Sequence, residues 1–284
     1  MAHGLELRVY DDLAAYKADV DPFLLEREAE NGLFHGLLTS MQARADASRL
    51  FLGRVVRNGK TDSLGFHTGH ALIATRADLD ALDTMIAGLA RLFPTLPGIV
   101  AHGETSDAFA ERWIRQQSCR VRGVVRQRIY VLERLIPPRH TSGASRWAEQ
   151  KDVPLVVGWV TAFHVEALPH EPYSTDTAIA TTRRMIDERR LVLWTVSQRV
   201  VSMAALSRPT PNGIWVNAVY TPPEERRRGY ASAVVADVTQ RGLDMGKRFT
   251  ALYTDLDNPT SNSIYIKMGY EPICDSRNYW FDYS

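Results

Sequence analysis

One stretch of the C-terminal half constrains the fold more than any other, because a predicted strand, a basic glycine turn and a predicted helix follow one another directly. The strand covers Ile214 to Tyr220, which are rich in the β-branched and aromatic side chains that favour strands. Pro222 and Pro223 end it, since proline cannot donate a hydrogen bond to a sheet. The helix is indicated by apolar residues at helical spacing, namely Ala231, Val234, Val235, Val238 and Met245.

The turn between them carries Arg226, Arg227 and Arg228 in front of Gly229. A helix N-terminus leaves its first backbone N–H groups without internal partners and has a partial positive charge, so it favours an anion such as phosphate. Glycine allows the backbone to approach a bulky ligand closely. Taken alone, the turn fits a solvated basic turn before an ordinary helix better than a binding site. It lacks the Walker A pattern and the G-x-G-x-x-G of dinucleotide folds, which excludes both of those nucleotide sites.

A second informative segment follows, in which a predicted strand over Phe249 to Asp255 leads into a short helix. Asp257 or Asn258 is expected to cap that helix, and Gly269 to end it. Within the helix, Tyr265 by itself suggests a core aromatic that packs with its apolar neighbours.

Together the two segments resemble the GNAT superfamily of N-acetyltransferases. Arg226, Gly229 and Ala231 match the fixed positions of the superfamily's pyrophosphate loop, Q/R-x-x-G-x-G/A. The downstream pattern N-x(6)-Y-x(3)-G-[FY] is matched by Asn258, Tyr265, Gly269 and Tyr270. The resemblance is specific over residues 190–284 and weaker before them.

The resemblance implies that the cosubstrate is acetyl-CoA and that a neutral amine attacks its thioester directly. It assigns Tyr265 as the acid that protonates the leaving thiolate. The implied cofactor-binding residues are Val219, Tyr220, Thr221, Arg226, Arg227, Arg228, Gly229, Tyr230, Ala231, Ser232 and Asn258. The expected activity is N-acetyl transfer to a primary amine on a small molecule or peptide. Two alternatives remain: a catalytically silent acetyl-CoA-binding or regulatory protein, and a tandem-GNAT transferase that uses another acyl donor or a thiol-sugar amine.

The general base is not identified by the sequence. Many members of the superfamily carry a glutamate five residues before the asparagine, where this chain has Tyr253. Asn217 cannot act as a base, and the carboxylates of Glu166 and Asp255 are more simply interpreted as surface or capping groups. Residues that either line an acceptor site or merely pack are Trp159, His164, Glu166, His170, Tyr173 and Trp194.

A length of 284 residues suggests two domains. The two halves run through the same order of elements at an offset of about 150 residues, which indicates a tandem duplication. We therefore predict an α/β fold of two tandem GNAT-like domains, each with a mixed, mostly antiparallel central sheet flanked by helices. The expected boundaries are a degenerate first domain over 1–136, a linker over 137–146 and an acetyl-CoA-binding domain over 147–284. The first copy is called degenerate because Asp78 stands where phosphate would bind, so one acetyl-CoA per chain is expected.

The net charge of +1 provides no field that would recruit nucleic acid or an anionic membrane. The first residues lack the features of a secretory signal, so a cytoplasmic protein is expected. Cys119 and Cys274 form no C-x-x-C and are expected to be buried thiols. His67 and His70 alone make a poor ligand set, so no metal is expected. The sequence does not indicate an oligomeric state.

Overall fold

The computed structural model describes residues 4–42, 51–67, 69–167, 169–171 and 173–283. Contacts between Cα atoms divide the chain into two compact units. Unit 1 comprises Met1–Ile129 and Ile273–Ser284, and unit 2 comprises Tyr130–Pro272.

The elements alternate between strands and helices along the chain. The first part contains β1 (Leu5–Val9), α1 (Leu13–Glu26), α2 (Gly32–Gln42), β2 (Phe51–Arg57), β3 (Lys60–His67), β4 (Leu72–Ala74), α3 (Leu79–Leu92), β5 (Gly98–His102), α4 (Gly103–Gln117) and β6 (Cys119–Leu132). The rest contains β7 (Ala144–Trp147), α5 (Val153–Ala167), α6 (Thr175–Asp187), β8 (Leu191–Val196), β9 (Arg199–Ser207), β10 (Gly213–Tyr220), α7 (Tyr230–Asp244), β11 (Phe249–Asp255), α8 (Pro259–Lys267) and β12 (Glu271–Tyr283).

In unit 1 the sheet carries helices on both faces. Strands β1 to β4 pair antiparallel in sequence order, and β4 pairs parallel with β5. Alternate residues of β2 face opposite sides, as the period of a strand requires. Phe51 and Val55 pack in a cluster with residues of α3 and α4, whereas Leu52 packs in a cluster with residues of α1 and α2.

In unit 2 the strands follow the order β11-β10-β9-β8-β7, in which only the β10–β11 pair is parallel. Here too alternate residues of one strand reach two cores. Ala204 and Leu206 of β9 pack with residues of α7 and α8, while Met203 and Ala205 pack with residues of α5 and α6. The predicted fold class of two α/β units with mostly antiparallel sheets is thus confirmed.

Three details at the chain boundaries differ from the sequence prediction. Residues 130–136 were counted with the first domain but belong to unit 2. Residues 144–146 of the predicted linker belong to β7, which pairs with β8 from Ala144↔Thr195 to Trp147↔Val192. The C-terminal residues were counted with the second domain, yet Ile273–Ser284 belong to unit 1. The reason is the antiparallel pairing of β12 with β5, in which Ser276 lies opposite His102.

None of the helices in the described part of the chain is long and apolar enough to cross a membrane.

Candidate active site

The central feature of unit 2 is the point at which β10 and β11 part. Their parallel register runs from Gly213↔Phe249 to Trp215↔Ala251 and no further along these fully described strands. Toward β9, the register of β10 shifts between Asn217 and Tyr220, and Ala218 has a φ of 48°. A bulge of this kind bends a strand and increases its local twist. The second half of β10 therefore carries backbone groups that do not pair with β11.

The loop after β10 presents an open helix end. Arg227 has a φ of 64°, and Gly229, the N-cap of α7, has a φ of 84°. Gly229, the N-cap residue, has no side chain to cap α7. Among the described residues, no side chain accepts from the first N–H groups of Tyr230, Ala231 and Ser232, so the positive end of the helix dipole remains open.

Glycine is favoured at position 229 for two reasons. Its positive φ disfavours any residue with a Cβ. A Cβ built at this position would also lie 2.8 Å from the Oγ1 of Thr141. Thr141 was missed in the sequence, because it lies in the predicted linker and carries no motif.

The three arginines of the turn do not act alike. Arg226 donates from Nε to the carbonyl of Thr221 at 2.9 Å and from Nη2 to the Glu166 carboxylate at 2.8 and 3.0 Å. Arg228 donates to Glu225 at 3.1 Å, a side chain that is only 5% exposed. Their guanidinium groups therefore hold the loop in shape. Among the described residues, none accepts a hydrogen bond from Arg227, whose side chain is exposed.

Tyr265 lies in α8 and is 7% exposed. It shares one hydrophobic cluster with Val234 and Val235 of α7, and its ring meets that of Tyr270 edge-on at 5.9 Å between centroids. Burial raises the pKa of Tyr265 far above its ordinary value, so the phenol is protonated at neutral pH. No described residue accepts or donates a hydrogen bond at its hydroxyl, whereas the Tyr270 hydroxyl is bonded to Thr239 at 2.8 Å and to Thr250 at 2.9 Å.

Asn258 caps α8, as expected. Its Oδ1 accepts from the Ser261 N–H at 3.1 Å. That bond uses the oxygen and leaves the amide NH₂ as a donor on an exposed residue. Of the predicted strand residues, Tyr220 is 8% exposed and its carbonyl accepts from the Ser202 hydroxyl at 3.1 Å, while Thr221 Oγ1 lies 2.8 Å from the same hydroxyl. Val219 is partly buried beside the α7 cluster.

Neither carboxylate considered as a base is free for that role. Glu166 is engaged by Arg226, and Asp255 accepts from the Asp257 N–H at 2.8 Å within a turn. Both fit the simpler interpretation made from the sequence. At the usual glutamate position, the ring of Tyr253 lies 5.6 Å from the guanidinium carbon of Arg208.

Several candidate acceptor-site residues pack against neighbours. Trp159 meets Tyr220 at 5.9 Å between ring centroids, and His164 stacks on Tyr173 at 4.0 Å. Trp194 donates from Nε1 to the Ser142 carbonyl at 3.0 Å. His170 is partly buried.

The matching helix end in unit 1 is closed. Asp78 is the N-cap of α3, and its Oδ1 accepts from the Ala81 N–H at 2.9 Å. That bond, together with Arg57 at 2.6 Å, lowers the pKa of Asp78. The expectation that an acid caps this helix is confirmed.

The remaining titratable groups indicate structural roles. No group of three or more His, Cys, Asp or Glu residues within the described ranges is arranged to hold a metal ion. His67 is buried and meets Phe93 edge-on at 4.8 Å. Cys119 is a buried thiol as expected, but Cys274 is only partly buried.

Comparisons with known proteins agree with this geometry. The model of the FR47-like protein family matches residues 193–281. A GCN5-related N-acetyltransferase from Sphaerobacter thermophilus is similar in structure over 97% of this chain and 94% of its own, with 16% identity and a TM-score of 0.63. An acetyltransferase of the GNAT family from Colwellia psychrerythraea is similar over 98% of this chain and 100% of its own, with 9% identity and a TM-score of 0.58.

A tandem GNAT protein from the clavulanic acid biosynthesis pathway is similar over 98% of both chains, with 12% identity and a TM-score of 0.56. No curated protein matches the chain in sequence. At these identities the solved structures establish the fold, and their coverage extends it over both units. The chain thus has the fold of these GNAT-family structures over both units, and residues 193–281 match the FR47-like family.

Proposed function

We propose that the chain is an N-acetyltransferase that moves the acetyl group of acetyl-CoA to a primary amine on a small molecule or peptide. The observation that carries the proposal is the open N-terminus of α7, which lies one loop after a strand that has parted from its parallel neighbour. An uncapped helix end offers N–H groups and a favourable dipole to a phosphate. Unpaired strand backbone offers hydrogen bonds to an amide-containing chain such as pantetheine.

The residues present fit such a cosubstrate. Gly229 leaves the helix end open to close approach, and a Cβ there would fill the space beside Thr141. The pyrophosphate would be held by backbone N–H groups of residues 229–232 and by Arg227, whose cation has no anionic partner among the described residues. Arg226 and Arg228 contribute through loop shape, because their side chains are bound to Glu166 and Glu225. The pantetheine arm would pair with the backbone of Val219, Tyr220 and Thr221, and the Asn258 amide would donate to it.

Tyr265 is the proposed general acid. Its phenol stays protonated because burial raises its pKa, and its hydroxyl has no partner among the described residues. The residue is 7% exposed, but its hydroxyl is not among the fully buried polar atoms of the described residues that lack a partner, so a ligand can reach it. This feature favours an enzyme over a silent binding protein, which has no use for a proton donor at this place.

Proton removal from the amine does not require a protein carboxylate in this proposal. Tyr253 stands at the usual glutamate position, and Glu166 and Asp255 are engaged elsewhere. The acceptor amine therefore enters neutral and its proton passes to water. The chain's part is to hold the amine against the thioester, since positioning supplies much of the rate in reactions of this type. We expect the protein to act in the cytoplasm.

Release of free thiol from acetyl-CoA across a panel of primary amines tests the proposal. Tyr265→Phe keeps the packing and should lower turnover about 10²- to 10⁴-fold, the usual contribution of a general acid, with little change in acetyl-CoA affinity.

Tyr270→Phe is the matched control, because Tyr270 is buried in the same cluster but bonded to Thr239 and Thr250. It should destabilise the fold while transfer continues. Equal single-turnover rates in wild type and Tyr265→Phe would make Tyr265 a packing residue. Acetyl-CoA binding without transfer to any amine would favour the regulatory alternative. Transfer with another acyl-CoA only would favour the alternative donor.

A further inference from the structure

Two buried N–H donors in the described part of unit 2 have no acceptor. One is the Nε of Arg208, in the loop after β9, and the other is the indole Nε1 of Trp215 in β10. Trp215 is fully buried, and Arg208 is partly buried with its Nε inaccessible to solvent. Buried polar groups in folded proteins almost always have partners, so two orphan donors in one region require an explanation.

The two donors lie on the same face of the sheet. In the strand register Trp215 is opposite Ser207 on one side and Ala251 on the other, so these side chains share a face. Tyr253 is two residues beyond Ala251 and faces the same way. The Arg208 guanidinium lies 5.6 Å from the ring centroid of Tyr253. Trp215 thus belongs to the last pair between β10 and β11, and the Arg208 guanidinium reaches Tyr253, two residues beyond that pair.

The position of the Arg208 cation is energetically unfavourable. Its φ of 46° is unusual for a residue with a side chain. Burial lowers the pKa of the guanidinium below its ordinary value, yet an arginine remains charged at neutral pH. No described residue forms an ion pair with it, and the ring of Tyr253 provides only a cation–π contact. A partly buried cation without a counter-ion gains stabilisation when an anion joins it.

We propose that Arg208, assisted by the Trp215 N–H, binds the carboxylate of a substrate. The inference rests on the proposed function and narrows its substrate class: either the amine acceptor is an amino acid or peptide with a free carboxylate, or the acyl group carries one. One guanidinium matches the charge and planar fork of one carboxylate, whereas a doubly charged phosphate calls for further cations. Position 253 carries a tyrosine instead of the glutamate found in many members of the superfamily. This agrees with the proposal, because a glutamate carboxylate there would compete with the substrate carboxylate for Arg208.

The first test measures binding without turnover. The melting temperature of the wild type is recorded with alanine, alaninamide, succinate and succinamide. The carboxylates should raise it in a saturable manner and their amides should not. Arg208→Met should lose the response, whereas Arg183→Met, on an exposed arginine of α6, should keep it. Equal shifts with carboxylates and amides, or an undiminished response in Arg208→Met, would overturn the proposal. The wild-type comparison stands even if Arg208→Met fails to fold.

The second test assigns the source of the carboxylate. If the acceptor carries it, acetyl transfer to free amino acids or peptides should exceed transfer to their C-terminal amides. Arg208→Met should then raise KM for the carboxylated amine about 10- to 100-fold, as expected for loss of a charged hydrogen bond. If the acyl group carries it, succinyl-CoA should replace acetyl-CoA as donor and show the same loss.

The two proposals fail separately. Carboxylate-dependent stabilisation without transfer from any acyl-CoA would refute the transferase and leave the anion site standing. Acyl transfer that does not depend on a carboxylate in either substrate would support the transferase and refute the anion site.

Discussion

Replacing Gly229 by alanine distinguishes the effect of the backbone conformation on stability from the effect of the open helix end on acetyl-CoA affinity. Gly229 has a φ of 84°, and Gly246, just beyond the C-terminus of α7, has a φ of 82°. A residue with a Cβ loses about 1–2 kcal/mol in this left-handed region. A Cβ at Gly246 would meet no atom within 4 Å, whereas one at Gly229 would lie 2.8 Å from Thr141 Oγ1. The two glycines therefore share the strain and differ in their surroundings.

Both alanine variants should lose about 1–2 kcal/mol in free energy of unfolding. Gly229→Ala should lose slightly more free energy of unfolding than Gly246→Ala, because Thr141 must shift. The additional loss is small, since the shift breaks only a long hydrogen bond of 3.5 Å from the Thr141 hydroxyl to the Arg139 carbonyl. Acetyl-CoA affinity should fall by at least about fivefold in Gly229→Ala, which corresponds to roughly 1 kcal/mol for one helix-end interaction. It should be unchanged in Gly246→Ala. Gly229→Glu, which adds a negative charge at the helix end, should abolish binding.

The measurements are urea denaturation for stability and titration calorimetry for acetyl-CoA. Thr141→Gly in the Gly229→Ala background should recover the part of the stability loss that comes from the close contact. If Gly229→Ala binds acetyl-CoA as tightly as Gly246→Ala does, the open end of α7 is not the phosphate site and the reasoning is refuted.

Three further outcomes follow from the contacts. Tyr270→Phe should cost about 1–3 kcal/mol, since it leaves the hydroxyls of Thr239 and Thr250 without that partner, while Tyr265→Phe should unfold at nearly the wild-type urea concentration. Asn258→Ala should cost about 1 kcal/mol through loss of the α8 cap, measured in the same way, and no change would show that the cap is dispensable. The Arg146 guanidinium, bound at 2.6 and 2.7 Å, lowers the pKa of Asp152, so its stabilisation is present above pH of about 4 and is lost as pH falls through the lowered pKa. Asp152→Asn should thus be less stable than wild type at pH 7 but not at pH 2, and a constant difference would contradict this assignment.

Local signals in the sequence predicted most of the elements that build the site. The apolar spacing after Gly229 identified α7, and Val234, Val235 and Val238 are indeed buried. Met245 is 57% exposed, because the helix ends at Asp244 and the apolar stripe stops with it. Prolines and glycines indicated the ends of β10 and α8, because the conformational restrictions of these residues affect only the few residues next to them.

Contacts between distant segments could not be predicted in this way. Nothing near Glu166 indicates that it pairs with Arg226, and nothing in the linker indicates that Thr141 lies beside Gly229. The pairing of β12 with β5 joins strands far apart in the chain. Long-range pairing depends on the whole fold, so it becomes visible only in the structure.

Titration calorimetry of the full chain with acetyl-CoA decides whether unit 2 alone binds the cosubstrate. We predict one acetyl-CoA per chain in the wild type, one in Asp78→Ala, and none in Gly229→Glu. Asp78→Ala removes the carboxylate that caps α3, yet the residue before that cap is Ala77 and no glycine turn opens the helix end. A stoichiometry of two, the absence of binding in the wild type, or undiminished binding in Gly229→Glu would contradict this prediction.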